Sequence, residues 1–433
     1  MGISNRKLHR IPTEAVTLIL SILLAAASAH GQGRPTPPTM SEDDPAFIRI
    51  LLWQLERGEN ARAEEILKAN LARIKPRLEA VIADIDREFD ILGRFGAVSI
   101  YFGPGYGDLE ASNERFEKLF NMYRRLSGDE NLYKRFEARK LRIEGAHFTN
   151  QGEIECGDHL NWEKAKELYQ TSLDRLNRSY ALAQEIKDVR LQASAKVNIG
   201  STLIRLGRPD EAIQAYNEGI AHADTMPADL YKGLLRLNLG NTYVWLGQPD
   251  KSLAYSQQAL AIFRKIGRGT WEANALMNLG NGYLRHSDYT NAWNTLQQAL
   301  EVARRNGEYR VYGRALLNLG MTGLATKRKD AIPYLEEAIA WYRQDREIYP
   351  AIEREVTIQD SLRMLNQLAQ QTGDEALQEK YSKQYAEAAA AAPHSFSELR
   401  ASPCFAIYMS RPMPAPPAAS TVAPSAASGA APR

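Results

Sequence analysis

Leu237-Asn238-Leu239-Gly240 recurs in register along the chain, as Val197-Asn198-Ile199-Gly200 before it and as Met277-Asn278-Leu279-Gly280 and Leu317-Asn318-Leu319-Gly320 after it, always with the same period. A fixed period of this size means stacked supersecondary units, each too small to bury its own apolar face. The columns keep their chemistry. Gly200, Gly240, Gly280 and Gly320 allow a neighbouring helix to come close, and Ala193, Gly233, Ala273 and Gly313 form a second small column on the same helical face. Ile199, Leu239, Leu279 and Leu319 supply apolar bulk beside them. Gly207 and Gly247 end one helix, and Pro209-Asp210 and Pro249-Asp250 begin the next. The expected fold is therefore all-α: a right-handed solenoid of antiparallel helix pairs, preceded by an N-terminal helical region.

The remaining composition narrows the function. Apolar residues at 44% and charged residues at 24% are ordinary for a folded chain. The formal charge of +2 comes from Arg6, Lys7 and Arg10 against Glu14, all in the first 29 residues. The rest of the chain is balanced in charge, which gives no electrostatic reason to bind nucleic acid or an anionic membrane. Those first residues read as a secretory signal. A basic start leads into the apolar run 15–27, and Ala27-Ser28-Ala29 offers small residues for cleavage before His30. The run is shorter than the roughly 20 residues a bilayer crossing needs, so the exported protein is expected to keep no integral membrane span and to be periplasmic or extracellular. There Cys156 and Cys404 would meet oxidising conditions, and they stand either as a disulfide or as two isolated thiols.

Along the chain, 30–43 is a Gly/Pro-rich linker and 44–130 an N-terminal helical region, with one helix starting at Asp44-Pro45 and a longer one over about 61–92, bent at Pro76. The glycine-rich stretch Gly103-Pro104-Gly105-Tyr106-Gly107 lacks the Lys-Ser/Thr of a phosphate loop and reads as a connection. Repeats occupy 131–391. An irregular pair spans 131–189, regular pairs span 190–226, 229–267, 269–307 and 309–346, and a degenerate closing pair spans 351–391. With Gly145 matched to Gly200, the irregular pair carries eight extra residues, predicted as a polar inter-helix loop holding Glu153, Glu155, Cys156, Asp158 and His159. Residues 392–433 form a C-terminal segment ending in a Pro/Ala/Ser-rich, disordered tail.

The stretch LNLGNTYVWLGQPDKSLAYSQQALAIF resembles the tetratricopeptide repeat, with a small residue at the eighth position, Tyr at the eleventh, Gly at the fifteenth and Ala at the twentieth. The period of 40 departs from the usual length of about 34 and is similar to the longer repeats of kinesin light chains and of bacterial Asn-Leu-Gly scaffolds. The resemblance implies a binding protein without enzymatic activity or cofactor, whose partner is another protein or a peptide segment.

It also implies that Asn198, Asn238, Asn278 and Asn318 face the concave groove. One turn either way, the rows read Ser194/Asn198/Ser201/Arg205, Leu234/Asn238/Asn241/Trp245, Asn274/Asn278/Asn281/Arg285 and Arg314/Asn318/Met321/Ala325. A primary amide can serve both the N–H and the C=O of an extended peptide, whatever its sequence. Arg205, Arg285 and Arg314 would read carboxylates, and Trp245 and Met321 would hold apolar anchors. The competing reading is that the asparagines bond the neighbouring repeat and set the stacking angle. A different class of function, a metal- or thiol-dependent activity, could sit in the 153–159 loop or the N-terminal region, and a structural role in the cell envelope is a third possibility. No Ser-His-Asp or Cys-His arrangement has supporting context.

Overall fold

In the computed structural model the described residues are 51–52, 54–55, 57–83, 106–227, 230–344, 351–392 and 402–404. The expected leader, linker, Gly103–Gly107 connection and C-terminal tail lie outside them, apart from Tyr106 and Gly107, which open a helix. The chain divides into two compact units, Met1–Ala63 and Glu64–Arg433.

Helix α1 (Asn60–Ala69) crosses the boundary between the units, and residues 71–83 are again helical. The interruption falls at Asn70, whose side-chain amide turns back to the carbonyl of Ile66. Pro76 lies within the second run. After α2 (Tyr106–Ser127), α3 (Glu130–His159) and α4 (Trp162–Glu185) form the first pair. Then come α5 (Val189–Arg205) with α6 (Pro209–Asp224), and α7 (Leu230–Trp245) with α8 (Pro249–Lys265). Next are α9 (Gly269–Arg285) with α10 (Tyr289–Asn306), and α11 (Tyr309–Thr326) with α12 (Ile332–Gln344). Finally α13 (Ala351–Gln371) pairs with α14 (Glu375–Ala391). No strand occurs among the described residues.

The turns keep a stricter beat than the sequence suggests. A residue with left-handed backbone follows a helix at Lys187, Gly207, Gly247, Gly267, Ser287, Gly307 and Lys327. Successive members stand half a period apart, save Gly207 and Gly247, which stand a whole period apart. The residue after each one leads the next helix, and Asp188 and Asp288 cap it with a side-chain oxygen on a backbone N–H. Pro209 and Pro249 occupy the first helical position, where their missing N–H is harmless.

Stacking is what buries the apolar faces. One continuous core runs from Leu173 to Ala315 and draws on five successive pairs, and a second joins Leu317 and Met321 to Leu362, Leu365 and Tyr381. The glycine column works as expected: a methyl on Gly200 would overlap the Tyr216 ring, and one on Gly280 or Gly320 would overlap Leu296 or Leu335. The first helices of successive pairs also pack on one another, α5 on α7, α7 on α9, α9 on α11 and α11 on α13. Among the described residues the second helices do not pack on one another to that extent, so the stack bends with the first helices on its concave side.

The first pair departs from expectation. Residues 153–159 are not an inserted polar loop; they are the last turns of α3, a helix of 30 residues. Gly152, not Gly145, is the counterpart of Gly200, because its missing side chain makes room for Tyr169 as Gly200 does for Tyr216. The extra length precedes that glycine as added helix, and the connection itself is short, Leu160 and Asn161 only.

Candidate functional site: the inner face of the first helices

An asparagine two residues before a glycine on a helix lies about 200° round from it. Since Gly200, Gly280 and Gly320 face the second helix of their own pair, Asn198, Asn278 and Asn318 point the other way, onto the concave side. The corrected register adds a member. Thr149-Asn150-Gln151-Gly152 places Asn150 on the same row, half-buried, with Glu153 one turn beyond it. Its sequence signal is the Asn-x-Gly of Asn150 and Gly152, which competes with Gly145 for the same column.

The row is graded in exposure. Asn150, Asn198 and Asn238 are half-buried and Asn241 is exposed, whereas Asn278, Asn281 and Asn318 are 6%, 7% and 0% exposed. Their hydrogen bonds differ too. Asn238 donates to the hydroxyl of Ser201 at 3.3 Å, and Asn278 reaches the carbonyl of Leu237 at 3.5 Å, so each touches the preceding pair. Asn274 donates to Thr270 within its own helix. The Nδ2 of Asn198, the Oδ1 of Asn281 and both amide atoms of Asn318 are buried with no hydrogen-bond partner. A buried amide left so costs about 1–3 kcal/mol, which the stack must offset elsewhere.

Two of the three expected carboxylate readers are already occupied. Arg205 donates through Nε to Glu153 at 2.7 Å, which ties α5 to α3. Arg314 holds Glu353 of α13 through Nε and Nη2 at 3.2 and 3.0 Å, and Arg310 joins the same carboxylate at 3.3 Å. Charges on this face are thus used between pairs of helices. Arg285 and Trp245 are half-buried at the C-terminal ends of α9 and α7. Deeper in, Arg142 is 1% exposed and bonds Ser194 at 2.6 Å and Tyr231 at 3.2 Å, linking α3, α5 and α7. A buried hydroxyl cluster links α3, α4 and α5: Thr149 bonds Ser172 and Thr202 at 2.8 Å each, and Ser172 and Thr202 close it at 3.3 Å.

The cysteines are joined: Cys156 and Cys404 form a disulfide, both fully buried with Ala165 and Tyr169. Asp158, two residues on, accepts from the backbone N–H of Ala351 at 2.7 Å. The metal-ligand residue types around 153–159 are therefore mostly committed, Glu153 to Arg205, Cys156 to Cys404 and Asp158 to Ala351. Among the described residues no group of three or more His, Cys, Asp or Glu could hold a metal ion. An open depression of about 600 Å³ lies elsewhere, between α8, α9 and α10, lined mostly by polar side chains such as Asn294, Gln297 and Gln298. No stripe residue lines it.

The tetratricopeptide repeat family model matches residues 193–221, 233–305 and 272–344. These stretches carry tetratricopeptide repeats. Among solved structures, the apo form of RapI is similar at 14% identity with a TM-score of 0.52, over 74% of this chain and 79% of that one. A signal transduction ATPase with a tetratricopeptide repeat sensor, from Pyrococcus horikoshii, shares 16% identity with a TM-score of 0.46; the match takes in 87% of this chain and about half, 53%, of the ATPase. No match was found among curated proteins. Among the described residues no helix is long and apolar enough to cross a membrane.

Proposed function

We propose that the repeats form a non-enzymatic scaffold that holds an extended segment of another protein against the open part of the asparagine row. One observation supports this most directly: exposure along the row falls from Asn198, Asn238 and Asn241 to the enclosed Asn278, Asn281 and Asn318. The asparagines of the row on α3, α5 and α7 are the ones open to a partner, while on α9 Asn274 stays half-buried and Asn278 and Asn281 are enclosed. On the open helices Asn241 offers an exposed amide, and Asn198 is half-buried on the preceding first helix. Trp245, one turn further, supplies half-buried aromatic surface for an apolar side chain. Repeats of this family bind through their inner face, and the same placement is adopted here.

The two roles open to the asparagines divide along the row. Asn238 and Asn278 bond the preceding pair and set the stack, while Asn198, Asn241 and Trp245 are left for the partner. The double substitution Asn198→Ala with Asn241→Ala should abolish capture of the partner in crosslinking from the native compartment, at an unchanged melting temperature. Retained capture would sink the reading.

We also propose that this work is done outside the cytoplasm. The basic, apolar and small-residue succession of the first 29 residues supports that placement, and a disulfide suits an oxidising compartment. N-terminal sequencing of the mature protein should begin at His30; a chain still starting at Met1 would refute it.

A further inference from the structure

The last turn of α3 carries two long-range attachments, one to the start of the last pair and one to the C-terminal segment beyond it. Cys156 bonds Cys404, 248 residues away in sequence, and Asp158 accepts from the N–H of Ala351 at 2.7 Å. Helices α3 and α13 are also in direct contact. Ala351 opens α13, and the first N–H groups of a helix have no partner inside it. Asp158 therefore does for α13 what a capping residue normally does from the preceding position, with its charge at the favourable end of the helix dipole. The first and last first-layer helices of the stack meet at one place, and the disulfide sits two residues from it.

We propose that the Cys156–Cys404 bridge is a redox clasp that closes one turn of the solenoid, holding α3 against the start of α13 when oxidised and releasing it when reduced. Release is a thiol–disulfide exchange with a dithiol reductant. One thiolate of the dithiol attacks a sulfur of the bridge, and the other cysteine leaves as a thiolate. The second thiol of the dithiol then resolves the mixed disulfide. Both cysteines end as thiols carrying the two protons, and the dithiol ends as a disulfide. The sulfurs are fully buried in a cluster with Ala165, Tyr169, Leu160, Trp162 and Leu206, so attack waits for residues 402–404 to lift, where Pro403 is exposed and Ser402 half-buried. Opening the turn would widen access to the enclosed amides of Asn278, Asn281 and Asn318. That consequence rests on the scaffold reading; the clasp itself does not.

Hydrogen exchange at the amide of Ala351 reads the clasp directly, because Asp158 is the acceptor that protects it. In the oxidised full chain this amide should be protected, and Asp158→Ala should expose it with the disulfide intact by mass. On reduction, and in Cys404→Ser, its exchange should rise by about tenfold or more, while Leu362 and Leu365 in the middle of α13 stay protected over the same labelling time. Unchanged protection of Ala351 on reduction would overturn the proposal, since the contact would then be independent of the bond. Loss of protection throughout α13 would overturn it too, because the bridge would then be holding the fold and not a hinge. No partner is needed, so failure of partner capture and failure of the clasp are separate results.

Discussion

Gly200 shows how much a single position can demand. Its place in a periodic column revealed a need for smallness, and the structure gives the reason: the Tyr216 ring fills the space where a side chain would be. Gly200→Ala should destabilise the protein by about 1–3 kcal/mol as overpacking, read as a lower melting temperature, even though alanine is the better helix former. Gly240→Ala should be milder, because its nearest neighbour would be the Ser256 hydroxyl at 2.8 Å. His147 on α3 makes a pH prediction. Burial lowers its pKa from 6.5 to about 4, so the folded protein keeps the ring neutral where the unfolded chain would protonate it. The unfolded state binds more protons between those values, and stability should decline as pH falls from 6.5 toward 4. His147→Gln should flatten that part of the melting-temperature profile; an unaltered slope would refute the assignment. At this scale the sequence told residue types but not partners. Nothing about Arg205 or Arg314 in one dimension says that Glu153 and Glu353 hold them.

The helices themselves were legible where the period is regular, because capping and turn residues recur with it. They were misread where two glycines competed for one column. Gly145 and Gly152 both stand in α3, and only the ring of Tyr169 against Gly152 decides between them. With Gly152 in the column, Glu153, Cys156 and Asp158 stand on a helix end and not in a loop. The turn cadence offers a cleaner test. Lys187, Ser287 and Lys327 hold left-handed backbone at φ of 55°, 62° and 56°, at positions whose counterparts are Gly207, Gly247, Gly267 and Gly307. A side chain there costs about 1–2 kcal/mol that glycine avoids. Ser287→Gly should therefore raise the melting temperature, with an expected gain of about 1 kcal/mol after the added freedom of the unfolded chain is counted. No gain, or a loss, would mean that Ser287 makes contacts worth more than its backbone strain.

On the scale of the whole molecule, the solenoid was readable from the period alone, while its closure was not. A repeat tells what each unit does to the next; it is silent on where the sixth pair stands relative to the first. Cys156 and Cys404 could be paired only by a fold that brings positions 248 residues apart together. The unreduced protein should accordingly show no alkylatable thiol and a mass two hydrogens below the reduced form. That join also constrains how the protein can vary. An open stack tolerates gain or loss of a unit, since every turn residue stays in phase when one whole period is added or removed. Here each pair contributes a fixed share of the turn that carries α3 round to α13, so the buckle meets its hole at one copy number. A chain with one pair deleted would still stack, cap and melt cooperatively, and it would leave Cys156 and Cys404 unable to meet.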